Sequence, residues 1–448
     1  MTRQLGSRAN VDKFQIGLAM FGGALVLIGL RLPVGPAMLL AGGLGYAAIN
    51  GWVPLLANLK SMTYSKFSSY TLSVIPLFLL MGEFAGKGGL SSALYKAGRA
   101  WFGHWRGGLA IATIGGCAAF GAICGSSLAT AATMSQVALP EMRKLGYSNR
   151  LTTGVLAAGG TLGILIPPSI ILVIYAVFVE QSIGALFVAA IIPGLIAAVQ
   201  YMVVVSVYAR LYPDSAPQLP KASMRERIEA TRHVWPSALT FLIVIVGIYR
   251  GWFSPTEAAA IGAAVVGLLA VFHGGMRWQG FVDSLLSTAE TTAMMFLILL
   301  GAELFSAALA LSQMPGDLSR KVIAMDAAPW LVMTVIVVIY LILGCFMESM
   351  AMVLLTLPVF VPVLLGLDFG MSPSALLVWF GILVLISVEV GMISPPFGLN
   401  LFLINAMAKD IPMADTYRGV LGFCLMDIIR LAALIAFPSI VLWLPGLR

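Results

Sequence analysis

"GILIPP" occupies residues 163–168 and "GMISPP" occupies residues 391–396, so the pattern G-x-x-x-P-P recurs 228 positions later (391 − 163) in a chain of 448. Proline removes a backbone donor and breaks a helix, and glycine loosens one, so each hexapeptide interrupts the segment that carries it. What those segments are follows from composition. Hydrophobic residues make up 60% of the chain, charged residues 10%, and the mean hydropathy is +0.98. No soluble domain buries that much apolar surface, so the chain is an integral membrane protein. Apolar runs such as "FQIGLAMFGGALVLIGL" (14–30), "SALTFLIVIVGIY" (237–249) and "LVMTVIVVIYLILG" (331–344) have helical lengths and do not alternate as barrel strands do. The expected fold is an all-α polytopic bundle in a lipid bilayer.

Several function classes lose support on the same evidence. Cys117, Cys124, Cys345 and Cys424 lie in apolar stretches without a C-x-x-C pair, and His104, His233 and His273 show no ligand spacing. Packing thiols are the simpler reading, a metalloenzyme has little support, and no cofactor is expected. There is no G-x-x-x-x-G-K-[ST] loop for ATP, and no nucleophile with a base, so the chain is not expected to be an enzyme. The net charge of +7 is carried mainly in short loops, where it sets orientation in the membrane and implies no nucleic acid. Arg3, Arg8 and Lys13 precede an apolar run that imitates a signal peptide, but its length and the lack of an A-x-A site favour a retained first helix.

The long polar stretch "YPDSAPQLPKASMRERIEATRH" (212–233) reads as a linker between two halves, 1–211 and 234–448. Each half reads as three helices, an amphipathic arm, a re-entrant hairpin, a helix broken at G-x-x-x-P-P, and a final helix. In the first half these are 14–31, 33–51, 69–86, arm 91–105, hairpin 107–141, broken helix 148–180 and 183–211. In the second they are 234–250, 254–273, 284–313, arm 316–327, hairpin 329–365, broken helix 373–409 and 416–445. A hairpin enters and leaves on one side, so each half makes an odd number of crossings and the halves are inverted repeats. Lys and Arg bias places the linker in the cytoplasm and both termini outside, although Arg3, Arg8, Lys13, Lys60 and Lys66 count against it.

Inside a bilayer, non-helical backbone needs an ion, water or protein to satisfy it. A break exposes carbonyls that suit Na⁺ and amides that suit an anion. The first hairpin turns at "GAICGSSLATAAT" (121–133), with Gly125, Ser126, Ser127 and Thr130; the second turns at "LGCFMESMAM" (343–352), with Gly344, Glu348 and Ser349. Each tip paired with its broken helix makes a candidate ion site. Small residues and Pro-Pro kinks are common in membrane packing, but repetition at one internal spacing favours sites over packing. Glu348 and Glu389 are carboxylates in apolar surroundings: Glu348 reads as ion-site support or a gate, and Glu389 as a buried brace. Asp427 and Arg430 read as an intrahelical pair.

The stretches "IPLFLLMGEFAGKGGLSSAL" (75–94), "GHWRGGLAIATIGGCAAFGAICGSSLATAATM" (103–134), "ALPEMRKLGYSNRLTTGVLAAGGTLGILIPPSIILVIYA" (138–176), "AAIIPGL" (189–195) and "GMISPPFGLNLF" (391–402) resemble the large membrane subunit of tripartite ATP-independent periplasmic (TRAP) transporters, of the DctM type. The resemblance implies an elevator-type secondary transporter of the bacterial inner membrane that uses Na⁺ to import a small organic acid. It implies two partners, a periplasmic substrate-binding protein and a small four-helix membrane subunit. Carried over by position, it implies a first Na⁺ site around Ser126, Ser127, Gly163, Ile166 and Ser169, and a second around Gly344, Gly391, Ser394 and Phe397. Substrate is implied near Thr130, Thr161 and Asn400. Ser394 stands where the family commonly has Thr, and Glu348 where Asp is frequent. The competing readings are a stand-alone Na⁺-coupled dicarboxylate or anion carrier of similar architecture, and, with less support, a membrane-embedded enzyme or a channel.

Overall fold

A computed structural model describes residues 12–447, so Arg3 and Arg8 and the reading of the chain's first residues lie outside the described part. All regular elements among the described residues are helical, and no strand occurs. Among the described residues, five single helices are long and apolar enough to cross a membrane: Ile183–Leu211, Pro255–Phe272, Trp278–Ser312, Pro373–Ile393 and Met413–Ala436. Asn149–Leu165 and Ile170–Phe178 pass the same test together as one span bent by 42°. The all-α membrane fold expected from composition is what the chain forms.

Helix starts follow a local chemical rule. Ser148, Ser182, Ser254 and Ser372 each accept a hydrogen bond from the amide three residues on, at 3.3 to 3.4 Å. These caps satisfy donors that the first turn of a helix cannot. Pro438 ends the long last helix at Ala436, so the element expected over 416–445 is Met413–Ala436 followed by the short turn Ser439–Leu442.

The chain divides into two compact units, each drawn from both halves of the sequence. One comprises Met1–Ser69, Ala293–Met333 and Val353–Met371. Here glycines let backbones approach closely: a Cβ on Gly42 would lie 2.7 Å from Phe305 Cα, and one on Gly35 would lie 3.0 Å from the Leu297 carbonyl oxygen. This unit also holds a helix the sequence reading passed over, Trp52–Phe67. Gly51, at φ +90°, makes the turn into it. Its polar residues Asn58, Lys60, Ser61 and Lys66 break up the apolar run, which is why hydropathy did not reveal it. Leu55 and Met62 pack with Leu304 on one side, while Lys66 pairs with Glu303 at 3.1 Å.

The other unit comprises Tyr70–Thr292, Thr334–Met352 and Ser372–Arg448. It contains the first hairpin, Gly108–Cys124 and Ser127–Lys144, the tip of the second between Pro329–Gly344 and Ser349–Leu365, and both broken helices. Arg143 at the end of the first hairpin pairs with Asp410 at 2.7 Å, and Arg150 pairs with Asp415 at 2.9 Å. The Arg143 guanidinium, hydrogen-bonded to Asp410, holds that carboxyl below its ordinary range. Exposed pairs of this kind add little stability. The polar stretch 212–233 carries a helix, Met224–Arg232, started by a Ser223–Glu226 capping box. That helix docks on the arm Leu90–Phe102: Trp101 Nε1 donates to Thr231 Oγ1 at 2.8 Å, and Arg227 lies over the Trp101 ring at 5.4 Å. The following span, expected as one α-helix over 234–250, contains a π-helical segment, Leu242–Val246.

Candidate ion and substrate site

The spacing in G-x-x-x-P-P has a specific effect on a helix. The amide four residues after Gly163 would belong to Pro167, and the one four residues after Ile164 to Pro168; neither proline has an N–H. The carbonyls of Gly163 and Ile164 therefore lose their helical donors. The same register puts Pro395 and Pro396 where Gly391 and Met392 would find their helical donors, and the Gly391 carbonyl accepts instead from the Ser394 amide at 3.4 Å. The motif thus opens acceptors at a chosen depth, with glycine leaving room beside them.

At the first junction, Asn149–Leu165 stops at Ile166, whose backbone is extended (φ −86°, ψ 121°), and the chain resumes helix at Ile170 after the Ser169 cap. The hairpin tip packs directly on this break. Gly125 makes the tip turn at φ +67°, and its carbonyl accepts from the Ile170 amide at 3.5 Å. A Cβ on Gly163 would lie 2.6 Å from the Ser126 carbonyl oxygen and closer still to Thr130 Oγ1, and one on Gly121 would lie 2.6 Å from Gly163 Cα. The Ser126 carbonyl and the Thr130 hydroxyl of the tip therefore pack against Gly163, the residue whose carbonyl loses its helical donor. Thr130 Oγ1 is buried there without a hydrogen-bond partner. The Ser126 and Ser169 hydroxyls cap the two restarting helices, accepting from Ala129 and Leu172 amides at 3.4 Å.

The second junction is more open. Pro373–Ile393 stops at Ser394, extended at φ −82°, ψ 130°, and Leu399–Met407 begins after Gly398 without a side-chain cap. Both Pro-Pro bonds, 167–168 and 395–396, are cis. Gly344 of the hairpin and Gly391 of the broken helix lie back to back, so that a Cβ on Gly391 would lie 2.5 Å from Gly344 Cα. Ser394 Oγ donates to the Val390 carbonyl at 2.7 Å. Phe397 is half exposed, with its ring 5.3 Å from that of Phe346. Glu348 caps the returning hairpin helix: its Oε2 accepts from the Ala351 amide at 3.1 Å.

The three residues expected near substrate divide. Asn400, from the second broken helix, reaches the first junction, where its Nδ2 donates to Ser127 Oγ at 3.0 Å and to the Ala157 carbonyl at 3.1 Å. Its Oδ1 is buried and unpartnered, like Thr130 Oγ1. The Thr161 hydroxyl is engaged elsewhere, donating to the Ala158 carbonyl at 2.7 Å and lying 3.3 Å from the Tyr201 hydroxyl. Tyr201 belongs to a buried network that sequence reasoning saw only in part. It donates to Asp427 Oδ2 at 2.8 Å; Asp427 Oδ1 pairs with Arg430 at 2.9 Å; Glu389 Oε2 stands 3.7 Å from the same guanidinium. All three charged groups are buried. The intrahelical pair was visible in the sequence. Its third charge, Glu389, was readable only as a lone carboxylate in an apolar helix.

A family model described as the DctM component of the tripartite ATP-independent periplasmic transporter matches residues 21–440. The chain belongs to that family. It is a component of a membrane transporter and not an enzyme. Among its relatives, the C4-dicarboxylate TRAP transporter large permease protein DctM of Pseudomonas aeruginosa is 36% identical over 393 residues, 87% of this chain and 90% of that one. The sialic acid TRAP transporter large permease protein SiaM of Vibrio cholerae is 34% identical over 380 residues, 85% of this chain and 87% of that one. Among solved structures, the YdaH transporter of Alcanivorax borkumensis aligns with a TM-score of 0.63 at 16% identity, covering 95% of this chain and 98% of that one. That likeness concerns the fold alone. The DctM assignment accounts for the resemblance drawn above from the quoted stretches.

Proposed function

We propose that this chain is the large permease of a Na⁺-coupled, binding-protein-dependent transporter that imports a small organic acid across the bacterial inner membrane by an elevator movement. The carrying observation is the first junction: the register takes the helical donor from the Gly163 carbonyl, the Ser126 carbonyl and Thr130 side chain pack against the Cα of Gly163, and Thr130 Oγ1 and Asn400 Oδ1 are buried without a hydrogen-bond partner. Carbonyl oxygens that lack donors, inside a membrane, suit a cation, and the Thr130 hydroxyl can turn its proton away and offer a lone pair. Gly344, Gly391, Ser394 and Phe397 form the second site, with Glu348 shaping its hairpin tip. The oxygens of both junctions belong to one compact unit, as carriage in a single rigid body requires.

The substrate class follows from the relatives' cargo, C4-dicarboxylate and sialic acid, both carboxylates. The carboxylate is assigned to the space near Thr130 and Asn400, held there by the cation those oxygens bind and not by Asn400 Oδ1, which only accepts, with Thr161 supporting the site from behind. The repeated motif order makes 1–211 and 234–448 inverted repeats joined by a cytoplasmic linker. A cysteine at Lys221, labelled only from the outer face, would contradict that orientation.

The test uses the transporter's parts in turn. Proteoliposomes holding this chain together with its small membrane subunit, and supplied with its binding protein, take up a carboxylate only when an inward Na⁺ gradient is imposed. The chain alone does not. Full Na⁺-driven uptake by the chain alone would reject the three-part reading and favour a stand-alone carrier.

A further inference from the structure

A cleft of about 690 Å³ lies away from both junctions. Its walls are the start of the arm Leu90–Phe102, the end of the linker helix Met224–Arg232 with the following Trp235, and His273 at the end of Pro255–Phe272. The character of these helices fixes its depth. The apolar helices Val74–Lys87, Trp235–Phe241 and Pro255–Phe272 each have one end at the cleft, while Met224–Arg232 is polar and meets the apolar span after it at 48°. A change from apolar spans to polar helices marks the membrane–water boundary. Trp235 is exposed there, edge-on to His273 with 5.4 Å between ring centroids, and tryptophan is a residue that settles at that depth.

The charges of the cleft do not satisfy one another. Lys96, from the arm, and Glu229, from the linker helix, both line it and are exposed, and neither forms an ion pair or a side-chain hydrogen bond among the described residues. The arm helix begins at Gly89, at φ +70°, without a side-chain cap, so the amides of its first turn stand at the cleft with no internal acceptor. Amides at a helix start and a lysine suit a phosphate, and Glu229 suits an ammonium. Leu239, Leu268 and Phe272 are exposed apolar side chains on the two spans whose ends meet at the cleft. We propose that this cleft binds the head group of a phospholipid carrying both a phosphate and a primary ammonium, of the phosphatidylethanolamine type, with its acyl chains along those three residues.

The test uses the delipidated complex of the full chain with its partner subunits. Retention is followed by native mass spectrometry and thermal stability, with phosphatidylethanolamine, phosphatidylcholine, phosphatidylglycerol and inorganic phosphate added separately. Phosphatidylethanolamine is retained and raises the melting temperature; the other two lipids bind more weakly by roughly five-fold, the value of one interfacial charge. Glu229→Gln removes the preference over phosphatidylglycerol, and Lys96→Ala weakens both lipids alike. Both side chains are exposed, so neither change threatens folding. Equal retention of all three lipids, or unchanged phosphatidylethanolamine binding in both variants, overturns the proposal. So does saturation by inorganic phosphate at the affinity of the lipid, which would make the cleft a phosphate site.

Discussion

Gly163→Ala removes Na⁺-dependent uptake at ordinary Na⁺ concentrations. Alanine is the better helix former, and Gly163 sits inside a helix with no left-handed backbone demand, so local propensity favours the change. Packing opposes it. The added methyl would meet the Ser126 carbonyl at 2.6 Å and Thr130 Oγ1 at a shorter distance, both on the hairpin tip. Overpacking of this kind costs about 1–3 kcal/mol, and it is relieved only by moving the tip away from the break. Moving the tip spreads the acceptors that hold the ion, which weakens binding by roughly 5–150-fold if the same energy is lost there. Gly23→Ala is the control, because nothing lies within 4 Å of a Cβ at that position. The check is the Na⁺ activation midpoint in proteoliposomes. An unchanged midpoint in Gly163→Ala would mean that the tip and the break do not form a site together.

The largest effect on stability is expected from Arg430→Met. Arg430 is buried between Asp427 and Glu389, and methionine fills much of its volume without its charge. The variant leaves two carboxylates in the membrane interior with only the Tyr201 hydroxyl to answer them. Removing one partner of a buried ion pair costs about 3–5 kcal/mol, most of it the penalty on the charge left behind. The loss therefore reverses when the carboxylates go too: Glu389→Gln with Asp427→Asn, added to Arg430→Met, recovers most of the melting temperature. Thermal unfolding of the purified complex decides this. A wild-type melting temperature in Arg430→Met alone would show that the network is not ionised as a unit.

These two sites differ in how much of them could be read in advance. The junctions were legible because their cause is local. A proline four residues after a glycine acts within one turn of helix, and the hairpin tips carry glycine and serine in the same stretch as the turn they make. Helix count and order were legible wherever an apolar run stood alone. Trp52–Phe67 was missed because lysines and an asparagine interrupt its apolar face, and the helix in 212–233 because its only signal is the Ser223–Glu226 box in a polar stretch. The network of Tyr201, Glu389, Asp427 and Arg430 spans three helices, and no spacing along the chain announces it beyond the 427–430 pair. The engagement of Thr161 with Tyr201 was hidden for the same reason, since the face a threonine presents depends on a neighbour 40 residues away.

The central claim is that the two breaks hold Na⁺ at separate places and that this ion drives uptake. Its most direct test is Na⁺ activation of monoanion uptake by the reconstituted complex, with and without an imposed inside-negative potential of about 100 mV. Each entering Na⁺ gains roughly 2.3 kcal/mol from that potential and each negative substrate charge costs as much. With two ions per monoanion, uptake is electrogenic, rises more than linearly with Na⁺ and accelerates when the potential is applied. Ser126→Ala and Ser394→Ala each weaken the Na⁺ dependence through different sites while the fold persists. If both variants keep the wild-type activation curve, and the potential leaves monoanion uptake unchanged, the two G-x-x-x-P-P breaks are not Na⁺ sites.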